Sequence, residues 1–520
     1  MKNYLAILTL WVLSFGIFAQ SIEIQDVKRS RFNGVKPIFS GEDMKVEGYY
    51  TYYMIEKGSN GDRLFEFALI DKEVKDAKKI QVTINKSSNI NNTIFNGKYF
   101  LISWDDVKDK KMVFNTIATD GTIIANKEIP VEKRRLAAST VYASIDGEGF
   151  YIVSPQSSGA SAIGYSIERV NNKLEQIWKV DDIPAKGSKE VEDLINLGDR
   201  FVIWENYCPN MNPNKVVPQL VAFNSKTSEQ IYINDSFDGT HTGLYNRLRL
   251  DEDGSVLIGG SYVNGQKIKD VNNEGIYIKK LDPNGKEILY TKVSNSEKIQ
   301  EVLKSTSKGF AIGSKDKVLV EDLIVDKEGN IVIISEMFSK NLNITPLAIQ
   351  QTRDLISGGK SIGAPNNNDK SKYTLEIKDF ILFKFNQKGE LGEIKPISKE
   401  DYNKITVYNP YSSYGGMKLA RTLREMGWFD YGFTTTNVDG KSIMVCKNNA
   451  NPKRPEAFFY SLDENYAFKQ INLKKMGNVN LDDAAVGYFD VLRGVTGNVV
   501  IAFFQGKLKK ITIQSESLIE

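Results

Sequence analysis

The hydrophobic positions of the chain fall in short runs that are separated by polar turns rich in Asp, Asn and Gly. The clearest example lies between Arg249 and Val293. Three apolar runs and two acidic turns alternate there: runs 256–263, 275–278 and 287–290, and turns 251–254 and 282–285. Glycine takes the positive φ angle that tight hairpin turns require, so this pattern predicts three short antiparallel strands. Such a unit has an apolar surface on each face and needs neighbours of its own kind to bury both.

The chain supplies seven further units of this type. In chain order, the eight units are 48–85, 93–129, 140–181, 191–234, 241–293, 320–397, 407–473 and 486–514. Small antiparallel sheets that recur at such intervals are typical of β-propellers. We therefore predict an all-β fold, a single β-propeller of seven to eight blades. Eight is the better count, and seven applies if the first or the seventh unit is misread.

The last unit shows only three strands. Closed propellers commonly complete the terminal blade with a strand from the other end of the chain, which removes an exposed sheet edge. Residues 22–27, with the sequence IEIQDV, form an apolar segment near that end. We predict that they supply the missing strand.

Two insertions interrupt the repeat, at about 340–378 and 402–431, and each is expected to hold a short helix. In the first, Thr345 can cap a helix that ends near Gly358. In the second, apolar residues at helical spacing predict a helix over 417–426. Its apolar face consists of Met417, Ala420, Leu423 and Met426.

The blade pattern, in which Asp or Asn and Gly close each turn between apolar strands, resembles that of secreted bacterial β-propeller proteins. Asp253-Gly254 with 282–285, and Glu328-Gly329 with 387–389, carry the resemblance best. It covers most of 48–514 and implies a propeller in an exported protein without matching one particular member. The paired Gly-His and Trp-Asp signature of WD repeats is absent from the sequence.

The N-terminus has the pattern of an export signal. Lys2 supplies a positive charge, residues 4–18 are apolar, and Ala19 marks a plausible cleavage point. The apolar segment is short for a membrane span, which needs about 20 residues. We therefore expect residues 1–19 to be a signal peptide and 20–520 to form the propeller domain, with no transmembrane span in the mature chain.

Composition narrows the possible partners. The 520 residues include 68 Lys and Arg and 65 Asp and Glu, a formal net charge of +3. Because this balance creates no single-sign field that would attract a phosphate backbone, we do not expect nucleic-acid binding. Two cysteines, Cys208 and Cys446, are too few to build a disulfide scaffold in a chain of this size. We expect two buried free thiols in preference to one long-range bridge.

His241 is the only histidine. A Ser-His-Asp triad would therefore depend on it, and a zinc site with several histidines is impossible. It lies in a turn-like segment with no positioned partner, so we interpret it as a hydrogen-bonding loop residue.

The acidic residues are interpreted as structural. Asp251 and Asp253 begin like an EF-hand loop, but Val256 stands where that loop requires glycine, so we interpret them as turn caps. Neighbouring carboxylates such as Glu192 and Asp193 should point to opposite faces of a strand and therefore cannot form a glycosidase pair. We predict no catalytic residue, no metal site and no bound cofactor.

The second insertion gathers Tyr, Trp and Arg, the residue types that dominate binding hot spots. The candidate partner-binding residues are Tyr408, Tyr411, Tyr414, Arg421, Arg424, Trp428, Phe429 and Tyr431. Insertions in a repeat fold often carry its specific function. The alternative is that these aromatic side chains pack on the neighbouring blade and bind no partner.

The sequence leaves three functions open. The preferred one is an exported protein–protein interaction module or accessory subunit of a bacterial envelope assembly, which binds another envelope or outer-membrane protein in the periplasm. A plug or gate component of the type 9 secretion translocon is one concrete form of it, and the alternatives to the periplasm are the cell surface and secretion from the cell. The other two functions are a glycan- or small-ligand-binding propeller and a channel-site enzyme of quinoprotein type. The chain lacks the adjacent cysteines and the Trp-rich blade pattern of quinoprotein dehydrogenases, so we do not expect an enzyme.

Overall fold

The structure is a computed structural model of the chain. It describes residues 20–27, 32–40, 45–58, 61–84, 88–106, 109–130, 139–158, 161–212, 214–251, 253–268, 274–306, 312–313, 315–342, 360–362, 373–408, 411, 416–448, 456–462, 468–469, 486–506 and 508–518. The predicted signal peptide and the helix predicted after Thr345 lie outside the described residues.

The first half of the chain contributes seventeen described strands. They are β1 (Ser21–Ile24), β2 (Phe32–Ser40), β3 (Lys45–Lys57), β4 (Arg63–Asp71), β5 (Ala77–Ile84), β6 (Ser88–Phe95), β7 (Tyr99–Asp106), β8 (Lys111–Ala118), β9 (Ile123–Pro130), β10 (Thr140–Ala143), β11 (Gly149–Ser158), β12 (Ser161–Asn171), β13 (Gln176–Asp182), β14 (Ser188–Asn196), β15 (Arg200–Cys208), β16 (Val217–Asn224) and β17 (Gln230–Asp235).

The second half contributes seventeen more described strands and two short α-helices. The strands are β18 (His241–Leu250), β19 (Val256–Asn264), β20 (Gly275–Leu281), β21 (Glu287–Ser294), β22 (Lys317–Val325), β23 (Ile331–Leu342), β24 (Lys360–Ile362), β25 (Tyr373–Phe385), β26 (Leu391–Ile397), β27 (Asn403–Val407), β28 (Tyr431–Thr436), β29 (Ser442–Asn448), β30 (Glu456–Ser461), β31 (Phe468–Lys469), β32 (Val486–Arg493), β33 (Asn498–Gln505) and β34 (Lys510–Ser517). The helices are α1 (Gln300–Thr306) and α2 (Gly416–Glu425).

These strands form eight sheets, antiparallel except for the β24–β27 pair, and the sheets are the blades of a β-propeller. Blades 1 to 5 are β2–β5, β6–β9, β10–β13, β14–β17 and β18–β21. Blade 6 is built on β22, β23, β25 and β26, and blade 7 on β28–β31. Blade 8 combines β32–β34 with β1. The predicted count of eight is confirmed.

Blade 8 is closed by the N-terminal strand, as predicted. Strand β1 pairs antiparallel with β34, with Ile22 opposite Ile513 and Ile24 opposite Ile511. Ile24 and Val27 are buried in an apolar cluster shared by blades 8 and 1. The two ends of the described chain therefore lie in one sheet.

Apolar clusters lie between all eight pairs of successive blades. Phe67 of blade 1 packs against Phe100 of blade 2, with ring centroids 5.5 Å apart. Trp178 of blade 3 stacks on Phe201 of blade 4, also with ring centroids 5.5 Å apart. Burial of apolar area of this kind is the main term that stabilises a fold. Each blade thus hides both of its faces against its neighbours, which is the reason for a closed ring.

Polar turns join the strands inside each blade, and their Asp or Asn side chains cap them as predicted. Asp282 accepts hydrogen bonds from the backbone N–H groups of Asn284 and Lys286, each at 2.9 Å. Gly285 in the same turn has a φ of +82°. A Cβ atom at Gly285 would lie 2.2 Å from Cγ of Tyr232, so both the turn and the contact with blade 4 require glycine.

The structure departs from the sequence pattern in three elements. Strand β2 escapes prediction because Gly34 and Pro37 interrupt its apolar positions. Strand β25 is long enough to pair with β27 through its first half and with β26 through its second half, so the insertions widen the sheet of blade 6. Helix α1 is not predicted at all.

No helix in the described ranges has the length and hydropathy needed to cross a bilayer.

Candidate functional site

The first strands of six of the eight blades border one cavity of about 590 Å³. They are β2, β14, β18, β22, β28 and β32, and helix α2 adds a further side to the wall. Five basic and five acidic side chains line the cavity. These are Arg247, Arg421, Arg424, Lys447 and Arg493, and Glu192, Asp193, Glu321, Glu425 and Asp490. The centre of the ring is therefore a charged channel.

β-Bulges aim several of these side chains at the channel. In β14 the register shifts between Val191 and Asp193, so Glu192 is an extra residue in the strand. Both Glu192 and Asp193 then line the cavity. The expectation that these two carboxylates point to opposite faces is wrong, because a bulge breaks the alternation of a strand. A bulge of the same kind in β22 places Glu321 at the cavity.

Helix α2 lies where the sequence predicts a helix and brings two arginines to the channel. Its apolar residues Met417, Leu419 and Leu423 are buried in a cluster with residues of blades 5 and 6. Arg421 and Arg424 of the same helix line the cavity. Met426, predicted on the apolar face, is exposed because the helix ends at Glu425.

The helix ends in a Schellman motif. The N–H of Gly427 donates to the carbonyl of Arg424 at 2.8 Å, and the N–H of Trp428 donates to Leu423 at 3.0 Å. Gly427 has a φ of +73°, which glycine adopts without strain. This ending fixes where the chain leaves the helix, and so where Arg424 stands in the channel.

Arg421 ties α2 to blade 4. Its Nη2 atom lies 3.0 Å from Oε2 of Glu192. Its guanidinium carbon lies 4.9 Å from the ring centroid of Trp204, a cation–π contact. The helix is thus attached to blades 5 and 6 by its apolar face and to blade 4 by its polar face.

Glu321 is the most deeply buried charged residue of the cavity wall. It is 1% exposed, and neither of its carboxylate oxygens accepts a hydrogen bond among the described residues. Nη2 of Arg247 lies 3.6 Å from Oε2 of Glu321, and Nη1 of Arg424 donates to the neighbouring carbonyl of Val320 at 3.4 Å. Burial raises the pKa of Glu321 to about 7, although the nearby arginines lower it.

The side of the channel formed by blades 7 and 8 is less charged. Nζ of Lys447 lies 3.2 Å from Oδ1 of Asp490, and the guanidinium of Arg493 lies 5.6 Å from the ring centroid of Phe433. Val491 and Leu492 are buried beside them. This side carries one ion pair and the cation of Arg493 next to two buried apolar residues.

A buried ionic triad lies next to the channel. Nζ of Lys399 lies 2.8 Å from Oδ2 of Asp430 and also contacts Glu336. Glu336 further accepts hydrogen bonds from the backbone N–H groups of Asp430 and Tyr431, each at 3.2 Å. The triad holds the segment after α2 against blade 6. No pattern in the sequence identifies it, because its members are far apart in the chain.

The predicted partner-binding residues separate into two groups. Arg421, Arg424 and Tyr431 line the channel. Tyr408 and Phe429 are buried, and Tyr411 and Trp428 pack against the cluster beneath α2. Tyr414 lies outside the described residues. Among the described aromatic residues, Phe429, Tyr411 and Trp428 therefore belong to the cluster beneath α2, whereas Tyr431 lies at the channel.

The remaining residues that the sequence singles out are the histidine, the acidic turn residues and the two cysteines. His241 is the first residue of β18 and not a loop residue, and its Nδ1 atom lies 3.8 Å from a carboxylate oxygen of Asp238 and 3.2 Å from Nζ of Lys292, neighbours that the sequence pattern does not indicate. Asp251 and Asp253 form ion pairs with Lys280 at 2.6 and 3.2 Å. Cys208 and Cys446 are free thiols, with Cys446 buried and Cys208 half-buried. Within the described residues, no group of three His, Cys, Asp or Glu side chains is placed to hold a metal ion.

Solved structures show distant similarity to this chain. The β-propeller domain of the Trilobed protease from Pyrococcus furiosus is 11% identical, with 89% of this chain and 98% of that chain covered and a TM-score of 0.36. The quinohemoprotein alcohol dehydrogenase ADHIIG from Pseudomonas putida is 9% identical, with 96% and 76% covered and a TM-score of 0.43. The WD40 domain of SCAP from fission yeast is 7% identical, with 96% of each chain covered and a TM-score of 0.36. Likenesses at this level carry no argument about function.

No curated protein matches the chain. The model of one protein family, described as a family of unknown function, matches residues 1–519.

Proposed function

The chain belongs to that family, DUF6770, and we propose that it is an exported β-propeller that binds a small polar ligand in its central channel. The cavity of about 590 Å³ carries the proposal. Its volume falls within the range of about 300–1,000 Å³ that is usual for small-molecule sites. Ten charged side chains line it, and such groups give a pocket its specificity for polar ligands.

Two cationic side chains of the cavity wall are held in position by neighbouring residues. Arg421 is held by Glu192 and Trp204, and Lys447 by Asp490. Side chains held in this way lose little freedom when a ligand binds, which favours affinity. We propose a binding role and not a catalytic one for these residues.

Export is the second part of the proposal. The positive residue Lys2, the apolar segment 4–18 and the small residue Ala19 support a cleaved signal peptide. The periplasm is the proposed compartment. Fractionation of the producing cell, with antibody detection and N-terminal sequencing, tests this: a chain that begins at Gln20 in the periplasmic fraction is expected, and an uncleaved chain in the cytoplasm would contradict it.

The binding function can be tested on protein purified from its own cells. We expect native mass spectrometry to show a small-molecule adduct on the wild-type chain and on Lys418→Gln, an exposed position on α2. Arg424→Gln should lose the adduct, because this side chain lines the cavity. A wild-type chain without an adduct, and without a thermal shift in a library of polar metabolites, would overturn the proposal.

A second candidate function, an interaction module for the envelope, has a specific observation in its favour. Exposed isoleucines recur on the outermost strands of blades 2 to 5, namely Ile123, Ile177, Ile231 and Ile288, which are 39–54% exposed. A row of apolar residues on the outside of a propeller is suited to contact with another protein.

A pull-down from detergent-solubilised envelope tests this second candidate. The tagged chain and Val438→Lys, an exposed control in blade 7, should recover the same envelope protein. The double variant Ile177→Lys/Ile231→Lys should lose it. Recovery of a type 9 translocon component would assign the protein to that assembly, and recovery of the chain alone would remove the candidate.

A further inference from the structure

Glu321 is a buried carboxylate with an unusual environment. It lies at a β-bulge, it lines the channel cavity, and neither of its oxygens accepts a hydrogen bond among the described residues. A buried acceptor that lacks a donor costs about 1–3 kcal/mol, and more if it is charged. Such a group can be satisfied by a proton, by a ligand, or by both together.

Two arginines act on this carboxylate from different elements. Arg247 of β18 lies 3.6 Å away, and Arg424 of α2 donates to the carbonyl of the preceding residue, Val320. Among the described residues, Arg424 forms no ion pair. Burial, followed by the charge of Arg247, lowers the pKa of Arg424 to about 10, so Arg424 is cationic at neutral pH and is repelled by Arg247. An anion between them would relieve that repulsion, and guanidinium groups bind carboxylates through two parallel hydrogen bonds.

The charges around the arginines limit which anion fits. Arg247, Arg421 and Arg424 face three carboxylates, Glu192, Asp193 and Glu321. This side of the cavity is therefore neutral when all six groups are charged. A monovalent anion together with one proton keeps it neutral, whereas a divalent anion does not. Uncompensated charge in a partly desolvated site is unfavourable.

We propose that the channel binds the carboxylate of a small molecule between Arg247 and Arg424, and that Glu321 takes up one proton when the ligand binds. The O–H of Glu321 then donates to the ligand carboxylate, which satisfies the unpartnered group. This inference rests on the proposed binding function and adds the class of ligand.

Glu321 is the group that takes up the proton because burial already favours its neutral form, with a pKa of about 7. Charged groups on four elements and on the segment between β26 and β27 face it. They are Arg247 on β18, Arg424 on α2, Glu336 on β23, Asp322 on its own strand, and Lys399 on that segment. A bound carboxylate adds one more negative charge beside Glu321 and raises its pKa further.

Isothermal titration calorimetry of the chain from residue 20 onward tests the proposal. The probes are galacturonate and lactate, which are monovalent anions, and glycylglycine as a source of a peptide carboxylate, with galactose and inorganic phosphate as comparisons. We expect at least one carboxylate probe to bind, with an affinity that falls about tenfold per pH unit above pH 7, as uptake of one proton requires. Titrations in two buffers of different ionisation enthalpy should show one proton taken up.

Variants test separately the proton uptake by Glu321 and the anion binding by Arg424. Glu321→Gln should bind with little pH dependence and without proton uptake, because glutamine is neutral at every pH. Arg424→Gln should lose at least tenfold in affinity while Lys418→Gln binds like wild type, and thermal unfolding of each variant checks that it is folded. Binding of the carboxylate with the same pH dependence in Glu321→Gln would overturn the proposal.

The other outcomes distinguish this inference from the function on which it rests. Binding of galactose or phosphate in the channel, abolished by Arg424→Gln, with no carboxylate bound, would refute the ligand class and keep the binding function. Failure of every probe, together with no adduct on the native protein, would refute both.

Discussion

Buried charged side chains hold the segment after α2 against blade 6. Lys399 is 8% exposed in its side chain and pairs with Glu336 and Asp430, which are almost fully buried. Burial raises the pKa of Glu336 to about 8, and the charge of Asp430 also raises it, whereas Lys399 lowers it and so favours the ionised form. Removal of one partner leaves an uncompensated charge inside the protein, which is far more destabilising than loss of an exposed ion pair.

The contribution of the triad to stability can be measured by substitution of a buried lysine, Lys399, and of an exposed one, Lys404. We expect Lys399→Met to lower the free energy of unfolding by about 3–5 kcal/mol, since it leaves two buried carboxylates without their cation. Lys404→Met should change it by less than about 1 kcal/mol, because Lys404 is 65% exposed and its ion pair with Glu376 is at the surface. Urea denaturation measures both. Similar losses in the two variants would contradict the buried triad.

Glu321 should make stability depend on pH. Its pKa is raised by burial from 4.5 to about 7 in the folded chain. The folded state therefore holds this proton more tightly, and the resulting stability is present below pH 4.5 and lost as pH rises through 7. We expect the free energy of unfolding to fall between pH 5 and pH 8 by a larger amount in wild type than in Glu321→Gln. Equal pH dependence would contradict the raised pKa of a buried carboxylate whose oxygens accept no hydrogen bond among the described residues.

At the scale of elements, the sequence pattern predicts what depends on local periodicity. The turn caps, the helix α2 and most inner strands follow from apolar spacing and from Asp, Asn and Gly positions. The bulges of β14 and β22 do not, because an extra residue in a strand depends on its pairing partner. The sequence therefore does not predict most of the channel residues. Arg421, Arg424 and Tyr431 are the exceptions, because Arg and Tyr are residue types that are common in binding hot spots.

Helix α2 should depend on its buried face. Leu423 is fully buried, and Leu423→Ala is expected to lower the free energy of unfolding by about 2–5 kcal/mol. Met426→Ala, at a position that is 46% exposed just after the helix, should change it by no more than about 0.5 kcal/mol. Chemical denaturation compares them. A harmless Leu423→Ala would show that α2 is not anchored on blades 5 and 6.

At the scale of the molecule, stability depends on closure of the ring. Eight apolar clusters alternate with eight blades, and the cluster between blades 8 and 1 includes residues from both ends of the chain. Without β1, strand β34 would expose its edge, and such edges promote aggregation. The sequence predicts this closure, because the last unit contains only three strands and its fourth strand must come from another part of the chain.

The closing strand can be tested by one substitution. Ile24→Asp places a charge at a position that is 1% exposed, so we expect a large fall in unfolding temperature and aggregation in size-exclusion chromatography. Gln25→Asp, at the exposed next position, is the matched control and should behave like wild type. A monomeric Ile24→Asp chain of normal stability would argue against closure by β1.

An electron-density map of the chain purified from its own cells tests the account as a whole most directly. The account predicts eight blades around the axis and density for a small molecule in contact with the guanidinium groups of Arg247 and Arg424. A channel filled by the protein's own side chains, or ligand density on the outer strands alone, would contradict it.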